Sequence, residues 1–359
     1  MPPDPTRGDP QSPIRVLVVD DQSFMRIALR QILEAEGDIR VVGEAKDGRE
    51  AVTMARELKP DAITLDVEMP EMDGLEACTR IMHGAAPHPA IVMVSSHTQA
   101  GAGAAVRALQ LGAVDFVSKS SAFARTDLAH IDSELRPKLR AWVKRRPLAE
   151  AAVAAPAAAP STSRCNPDLV VVAASTGGPQ ALTRLLGALG AIRAPIVIAQ
   201  HMPEFFTASL AQMLSQDTGR EVREGAHHFP LPPASVTLVP GAQDGMIAPQ
   251  SGGGYQLRVT KVASSVHPSG DALFESAALV ASTPVGVVLT GMGEDGAKGA
   301  ASLRRKGAPV LVQDPATCIV AGMPQAAIAA APGCDVLSIE QMAGRLAAWS
   351  RADLGASAT

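Results

Sequence analysis

The segment "VVVAASTGGPQAL", residues 170–182, places a serine directly after an apolar run and ahead of a helix-like pattern. A glycine-rich turn between a strand and a helix can cradle a phosphate, or it can present Ser175 as a nucleophile. The phosphate interpretation is disfavoured, because neither the lysine of a P-loop nor the G-x-G-x-x-G dinucleotide fingerprint is present. A structural alternative, in which Ser175 or Thr176 caps the helix that begins near Pro179, stays open on this segment alone.

A serine needs a base to remove its proton before it can attack a carbonyl. Of the eight histidines, only His201 directly follows a buried-strand pattern, in "IVIAQHMP", and no metal-binding spacing supports a zinc site there. The segment "VGVVLTGMGEDGAKG" offers Glu294 and Asp295, and either of them could instead cap the following helix. Side chains at three strand ends of one parallel sheet can converge, so we predict a Ser-His-carboxylate hydrolase site.

A second group of polar residues lies at predicted strand ends in the first third of the chain. Three carboxylates in one cleft repel one another and need a cation, and oxygen ligands favour Mg²⁺. A hydroxyl and an ammonium beside them complete a site for a transferred phosphoryl group. The carboxylates are Asp20, Asp21 and Asp66, and the other two groups are Ser95 and Lys119.

The elements that must position these groups are apolar runs that alternate with helical patterns, which is typical of parallel sheets covered on both faces. Five runs predict a flavodoxin-like, doubly wound domain: 15–19, 40–44, 61–65, 90–94 and 113–117. Four more predict a second parallel-sheet domain: 168–174, 195–200, 285–290 and 309–313. Between them, residues 221–262 contain turn-forming residues spaced as in β-hairpins, and we expect an antiparallel insertion or edge there.

Composition predicts the domain organisation and excludes several classes of function. We expect a disordered tail (1–12), a first domain (13–140), an Ala/Pro-rich linker (141–166) and a second domain (167–350). A net charge of −4 and 3% aromatic residues argue against nucleic-acid binding. Four scattered cysteines and the lack of a signal peptide or a bilayer-spanning run predict a cytoplasmic protein that is not embedded in a membrane.

The first domain resembles two-component receiver domains in "VVDDQSFMR", "LDVEMPEMDGLE", "MVSS" and "DFVSK". The resemblance implies that a histidine kinase is the phosphodonor and that Asp66 is the phosphorylated residue. It also implies that Asp20, Asp21 and the Glu68 backbone help to hold Mg²⁺ there. One departure is Ser120, which stands where the family usually has a proline.

The second domain resembles the catalytic domain of chemotaxis protein-glutamate methylesterases, the CheB family. The resemblance lies in "ASTGGPQAL", "QHMPEFFTASLA", "LTGMGEDGAKG" and "CIVAGMPQAA". It implies that Ser175 is the nucleophile, His201 the base and Asp295, rather than Glu294, the residue that orients the base. Thr176 and the Met292 backbone N–H are implied in or beside the oxyanion site.

The family resemblance implies that the protein hydrolyses glutamyl methyl esters on chemoreceptor cytoplasmic helices, deamidates glutamines by the same chemistry, and needs no cofactor for hydrolysis. Phosphorylation is expected to relieve a block that the receiver places on the catalytic face. Two segments depart from the family: "HPSGDALF" has His267 where an arginine is usual, and "VPGAQDG", residues 239–245, lacks a common histidine. Two alternatives stay open, a phospho-regulated binding module without esterase activity and an esterase with another target.

Overall fold

The chain is described by a computed structural model in residues 12–96, 98–119, 125–145, 165–262, 264 and 266–351. It divides into two compact units, Met1–Glu150 and Ala151–Thr359. The predicted tail (1–12) and linker (141–166) lie mostly outside the described residues, as does Ser120. The proposed domain boundaries therefore stay predictions.

The first unit contains a five-stranded parallel sheet in the order β2-β1-β3-β4-β5. Its strands are β1 (Ile14–Val19), β2 (Ile39–Ala45), β3 (Ala62–Asp66), β4 (Ala90–Ser96) and β5 (Asp115–Lys119). Its helices are α1 (Ser23–Glu34), α2 (Gly48–Leu58), α3 (Gly74–Met82), α4 (Gln99–Gln110) and α5 (Arg125–Arg145). This order confirms the flavodoxin-like prediction, and it places the carboxyl ends of β1 and β3 side by side.

The second unit contains a seven-stranded parallel sheet in the order β15-β14-β13-β6-β7-β10-β8 and a three-stranded antiparallel sheet in the order β11-β12-β9. The parallel strands are β6 (Leu169–Ala174), β7 (Ile196–Gln200), β8 (Val222–Glu224), β10 (Val236–Leu238), β13 (Pro284–Val288), β14 (Val310–Gln313) and β15 (Asp335–Leu337). The antiparallel strands are β9 (Phe229–Leu231), β11 (Asp244–Pro249) and β12 (Tyr255–Thr260). The helices are α6 (Gly178–Ala188), α7 (Phe206–Thr218), α8 (Gly270–Val280), α9 (Ala297–Arg305), α10 (Gly322–Ala330) and α11 (Ile339–Arg351).

The fold class is confirmed, with one correction inside residues 221–262. The predicted antiparallel element exists as β9, β11 and β12, but β8 and β10 pair in parallel and extend the main sheet beyond β7. Both strands are three residues long, which is too short for a hydrophobic period to distinguish a parallel from an antiparallel partner.

The central strands of the second unit are apolar along their whole length because helices cover both faces of a doubly wound sheet. Every residue of β6 is buried, and so is every residue of β7 and β13. The chain first extends the sheet from β6 through β7, and it later returns to add β13 on the other side of β6. This reversal is a topological switch point, where the loops after the strands diverge and leave a crevice. None of the described helices is long and apolar enough to span a bilayer.

Candidate active site

The acidic cluster of the first unit lies where the topology predicts it, at the carboxyl ends of β1 and β3. Carboxylate oxygens of Asp20, Asp21 and Asp66 lie within 4.8 Å of one another, and Asp20 and Asp66 are buried while Asp21 is exposed. The Lys119 Nζ lies 2.7 Å from Asp20 Oδ2 and 2.7 Å from Asp66 Oδ2. Burial raises the pKa of Asp66 to about 6; the Asp20 and Asp21 charges add to the rise, and Lys119 opposes it.

Ser95 and Glu68 lie on neighbouring segments of this cluster. Ser95 is buried in β4 and pairs across the sheet with Ser118 of β5. The Glu68 side chain is exposed, and its carboxylate accepts a long hydrogen bond of 3.5 Å from Ser96 Oγ. The carboxylate cluster consists of the three aspartates and does not include the Glu68 side chain, so the proposed contribution of the Glu68 backbone stays a prediction. Three carboxylates with exposed access on one side are a donor set that fits Mg²⁺.

Ser175 follows the last residue of β6 in a turn built from glycines. Its N–H donates to the Thr290 carbonyl (3.0 Å), and its carbonyl accepts from Gly178 N (2.7 Å). Gly177 has a φ of +76°, and a Cβ on Gly178 would lie 2.0 Å from Gln200 Oε1. The turn therefore requires glycine at both positions, and it leaves Ser175 partly exposed ahead of α6.

His201 follows the last residue of β7, the neighbour of β6. Its N–H donates to the Ala174 carbonyl (2.9 Å), which holds its backbone beside the residue preceding Ser175. Its ring Nε2 lies 2.7 Å from Asp295 Oδ2, so Nδ1 is the ring nitrogen left to accept a proton. Among the described residues, Ser175 Oγ and His201 form no hydrogen bond; such catalytic contacts often tighten only when substrate binds.

Asp295 lies in the loop between β13 and α9, and its carboxylate rests on the N-terminus of a different helix, α8. Its Oδ2 accepts from Gly270 N (2.5 Å), and its Oδ1 accepts from Ser269 Oγ and Asp271 N (both 3.1 Å). Burial raises the pKa of Asp295, but hydrogen bonds from His201 and from these backbone groups outweigh it and hold the pKa below its usual value. Asp295 therefore stays ionised and can stabilise a protonated imidazole.

Thr176 follows Ser175 in the chain, and Met292 follows Gly291, where an added Cβ would lie 2.7 Å from Ser175 Cβ. The N–H groups of both residues have no acceptor among the described residues, which leaves them available to an oxyanion. The loop that carries Met292 is braced by the segment before α10: Gly291 N donates to Val320 O (2.9 Å), and Met323 N donates to Gly291 O (3.0 Å). Two backbone donors near a nucleophile are the usual composition of an oxyanion hole.

Several residues that shape the site were not singled out by the sequence. Ser269 binds Asp295, and Gln200 Nε2 donates to both the Ser175 and the His201 carbonyls (3.0 and 3.2 Å). Thr290 Oγ1 lies 3.1 Å from both Thr176 O and Val320 O, so its hydroxyl proton can be donated to either carbonyl. The signal for Ser269 was present, because serine ahead of an acidic residue and an apolar run is a helix N-cap pattern. Gln200 had no such signal beyond its place at a strand end.

Comparison with known proteins gives matches for both units of the chain. The CheB methylesterase family matches residues 170–346, and the response regulator receiver domain matches residues 16–130. The protein-glutamate methylesterase/protein-glutamine glutaminase 2 of Bordetella avium is 39% identical over 339 residues, which cover 93% of this chain and 96% of that protein.

Two further similar proteins come from other bacteria. The protein-glutamate methylesterase/protein-glutamine glutaminase 1 of Caulobacter vibrioides is 43% identical over 324 residues, 88% of this chain and 91% of that protein. A crystal structure of the Thermotoga maritima CheB methylesterase catalytic domain is 33% identical, with a TM-score of 0.48, and covers 51% of this chain and 98% of that chain.

Proposed function

Because this chain belongs to the CheB methylesterase family and carries a response-regulator receiver ahead of its catalytic domain, we propose that it demethylates glutamyl methyl esters of chemoreceptors. The observation that carries the proposal is the 2.7 Å contact between His201 Nε2 and Asp295 Oδ2. These two residues follow β7 and β13, the strands on either side of β6, and Ser175 follows β6. A base held by an ionised carboxylate beside a partly exposed serine is suited to acyl transfer.

The proposed reaction has two halves. His201 Nδ1 accepts the proton of Ser175 as Oγ attacks the ester carbonyl, and the N–H groups of Thr176 and Met292 stabilise the oxyanion. The tetrahedral adduct collapses, the C–O bond to the methoxy group breaks, and His201 returns the proton so that methanol leaves. Water then attacks the acyl-enzyme with His201 again as base, which frees Ser175 and leaves glutamate on the receptor.

Glutamine deamidation follows the same steps with ammonia as the leaving group. The amide carbonyl is less reactive and amide nitrogen is a poorer leaving group, so this reaction depends more strongly on proton donation by His201. Hydrolysis of either substrate requires no cofactor in this scheme. The substrate glutamyl residues lie on cytoplasmic helices of receptors, so we place the protein in the cytoplasm.

The receiver is proposed to control the hydrolase. A chemotaxis histidine kinase transfers a phosphoryl group to Asp66, and Asp20, Asp21, Asp66 and the Glu68 backbone would hold Mg²⁺ at the acidic cluster. Bound Mg²⁺ would neutralise charge on the carboxylates and on the incoming phosphoryl group. Lys119 and Ser95 then interact with the transferred phosphoryl oxygens, and the rearranged receiver relieves its inhibition of the esterase.

The test is methanol release from receptor membranes that carry labelled methyl esters, with and without a small phosphodonor. We expect release by the wild-type protein, stimulation by the phosphodonor, and loss of release in Ser175→Ala. In Asp66→Asn we expect release at the basal rate without stimulation. Equal release by Ser175→Ala and wild type would contradict the proposed nucleophile. If the wild-type protein releases no methanol, the proposed substrate is contradicted. The remaining functions are then a binding module without esterase activity and an esterase that acts on another target.

A further inference from the structure

Asp244, the first residue of β11, is a fully buried carboxylate with three separate partners. Its oxygens accept from Val262 N (2.8 Å), from Ser269 N (2.7 Å) and from His267 Nδ1 (2.8 and 3.0 Å). It is 0% exposed. A buried carboxylate is costly unless it is paired and hydrogen-bonded, so these partners must keep their places for the fold to hold it.

One partner of Asp244 leads directly to the carboxylate of the hydrolase site. Ser269, whose N–H binds Asp244, is the N-cap of α8 and donates its Oγ to Asp295 Oδ1. The next two residues, Gly270 and Asp271, donate their N–H groups to the same Asp295 carboxylate. The helix end that holds Asp295 is thus itself held by Asp244.

Another partner of Asp244 leads to the other side of the His201–Asp295 contact. The His267 carbonyl accepts from Met202 N (3.3 Å), and Met202 O accepts from Ala242 N (3.0 Å). Met202, the residue after His201, is therefore held between Ala242 and His267. The two segments that depart from the family pattern in sequence, 239–245 and 267–271, meet in this one contact.

We infer that Asp244 is a positioning residue of the esterase, which sets the contact between His201 and Asp295 by fixing the segments on both sides of it. The inference rests on the proposed function, and it adds a second carboxylate–imidazole pair, Asp244–His267, that does not touch the reacting atoms. A displacement of about 1 Å at a catalytic group can lower a rate by up to about 100-fold.

The experiment compares Asp244→Asn with the wild type in the full-length protein. The substitution keeps the side-chain shape but turns an amide toward at least one of the N–H donors, so we expect the start of α8 to shift. With methyl-labelled receptor membranes, kcat should fall by about 10- to 100-fold while KM changes by less than about twofold, because the receptor surface is intact.

A second readout does not depend on the receptor. Diisopropyl fluorophosphate reacts when Ser175 Oγ forms a bond to phosphorus, fluoride leaves and His201 takes the serine proton. The rate of this reaction should fall in Asp244→Asn in parallel with kcat. The inference would be overturned if the folded variant kept both the wild-type kcat and the wild-type rate of Ser175 reaction with the fluorophosphate. It would also be overturned if the substitution changed KM alone.

A matched control comes from Asp168, which also caps backbone amides with its carboxylate. It accepts from Ser282 N (2.8 Å), Thr283 N (3.0 Å) and Tyr255 OH (2.6 Å), at the amino end of β6, opposite to the active site. Asp168→Asn should lower the melting temperature without lowering kcat. A fall in kcat equal to that of Asp244→Asn would show that Asp244 acts only through stability.

The role of His267 gives a rescue test, which also serves if Asp244→Asn does not fold. His267→Ala removes the donor to Asp244 and should lower kcat, whereas His267→Asn places an amide donor near the former Nδ1 and should restore most of it. Equal activity of the two variants would overturn the inference. Wild-type protein that reacts with the fluorophosphate but releases no methanol would contradict the proposed substrate. The rates of the fluorophosphate reaction in the variants would then test the inference about Asp244. Wild-type protein that does neither would overturn both.

Discussion

Asp295 and Glu294 are neighbours in the chain, but their side chains lie in different surroundings. Asp295 contacts His201 and the start of α8, whereas the Glu294 side chain is exposed. The local sequence allowed either carboxylate, because both follow the same strand and both can cap a helix. The choice between them depends on hydrogen bonds from residues 269–271. These residues are distant in sequence, so the loop sequence alone does not predict which carboxylate they bind.

This difference gives a prediction with an adjacent control. Asp295→Asn should lower kcat by on the order of 10³- to 10⁴-fold, because a neutral amide neither holds the imidazole in the required tautomer nor stabilises its charge. Glu294→Gln should keep the wild-type kcat. The measurement is methanol release per folded molecule, and a comparable loss in the two variants would rule out Asp295 as the specific partner of His201.

The receiver carboxylates give a prediction about pH. The pKa of Asp66 is raised to about 6, so this carboxyl is protonated below that pH, and a protonated carboxyl is a poor ligand for Mg²⁺. The affinity for Mg²⁺ should therefore be flat above pH 7 and fall by about tenfold per pH unit below about 6, where a proton competes with the cation.

Titration calorimetry of the full-length protein at several pH values measures this dependence. The matched control is Asp66→Asn, which should bind Mg²⁺ more weakly at pH 7.5 and should show no loss centred near pH 6. An affinity for the wild type that stays constant between pH 5 and 7.5 would contradict the assigned role of Asp66 as a ligand.

At the scale of elements, apolar runs predicted every strand of four or more residues in the two parallel sheets to within about two residues, because helices cover both faces and leave no alternation. The placement of Ser175, His201 and the Asp295 loop after neighbouring strands β6, β7 and β13 followed from one rule, that the carboxyl ends of parallel strands share an edge. The antiparallel element expected in residues 221–262 is present, whereas the short parallel strands β8 and β10 of the same stretch were not predicted. The register of β10 is set by β7, a partner about 40 residues away in sequence, and β8 pairs in turn with β10.

The turn between β6 and α6 leaves no room for a side chain at Gly178. A Cβ on Gly178 would overlap Gln200 Oε1 at 2.0 Å, and Gln200 also binds the carbonyls of Ser175 and His201. Gly178→Ala should therefore destabilise the protein by about 1–3 kcal/mol and lower the esterase rate, since Gln200 must move.

Gly187 of the same helix offers the control, because nothing lies within 4 Å of a Cβ built there and its side is exposed. Gly187→Ala should raise stability by about 0.5–1 kcal/mol and keep the wild-type rate. Denaturant unfolding and methanol release together check both variants. A Gly178→Ala protein with wild-type stability and rate would show that the turn tolerates a side chain.

At the scale of the whole molecule, the sequence predicted two units of the correct classes, because the Ala/Pro-rich stretch holds too few large apolar residues to build a core. The control of one unit by the other was implied only by family resemblance. Regulation depends on which surfaces meet in each phosphorylation state, and neither hydrophobic period nor motif spacing reports on that.

The regulatory proposal predicts the behaviour of a truncated chain. Removal of residues 1–145 should raise basal esterase activity by about 5- to 150-fold, the range expected for a coupling free energy of about 1–3 kcal/mol. A phosphodonor should stimulate the full chain and leave the truncated one unaffected. A folded fragment with unchanged or lower activity would contradict inhibition by the receiver.

The strand order of the second sheet also bears on when the enzyme can first act during its synthesis. Ser175, which follows β6, is synthesised 120 positions ahead of Asp295, which follows the neighbouring strand β13. A nascent chain that has already exposed the serine therefore lacks the residue that orients its base. Esterase activity must appear late and abruptly in translation, and a truncated translation product ending before β13 should be inert toward receptors.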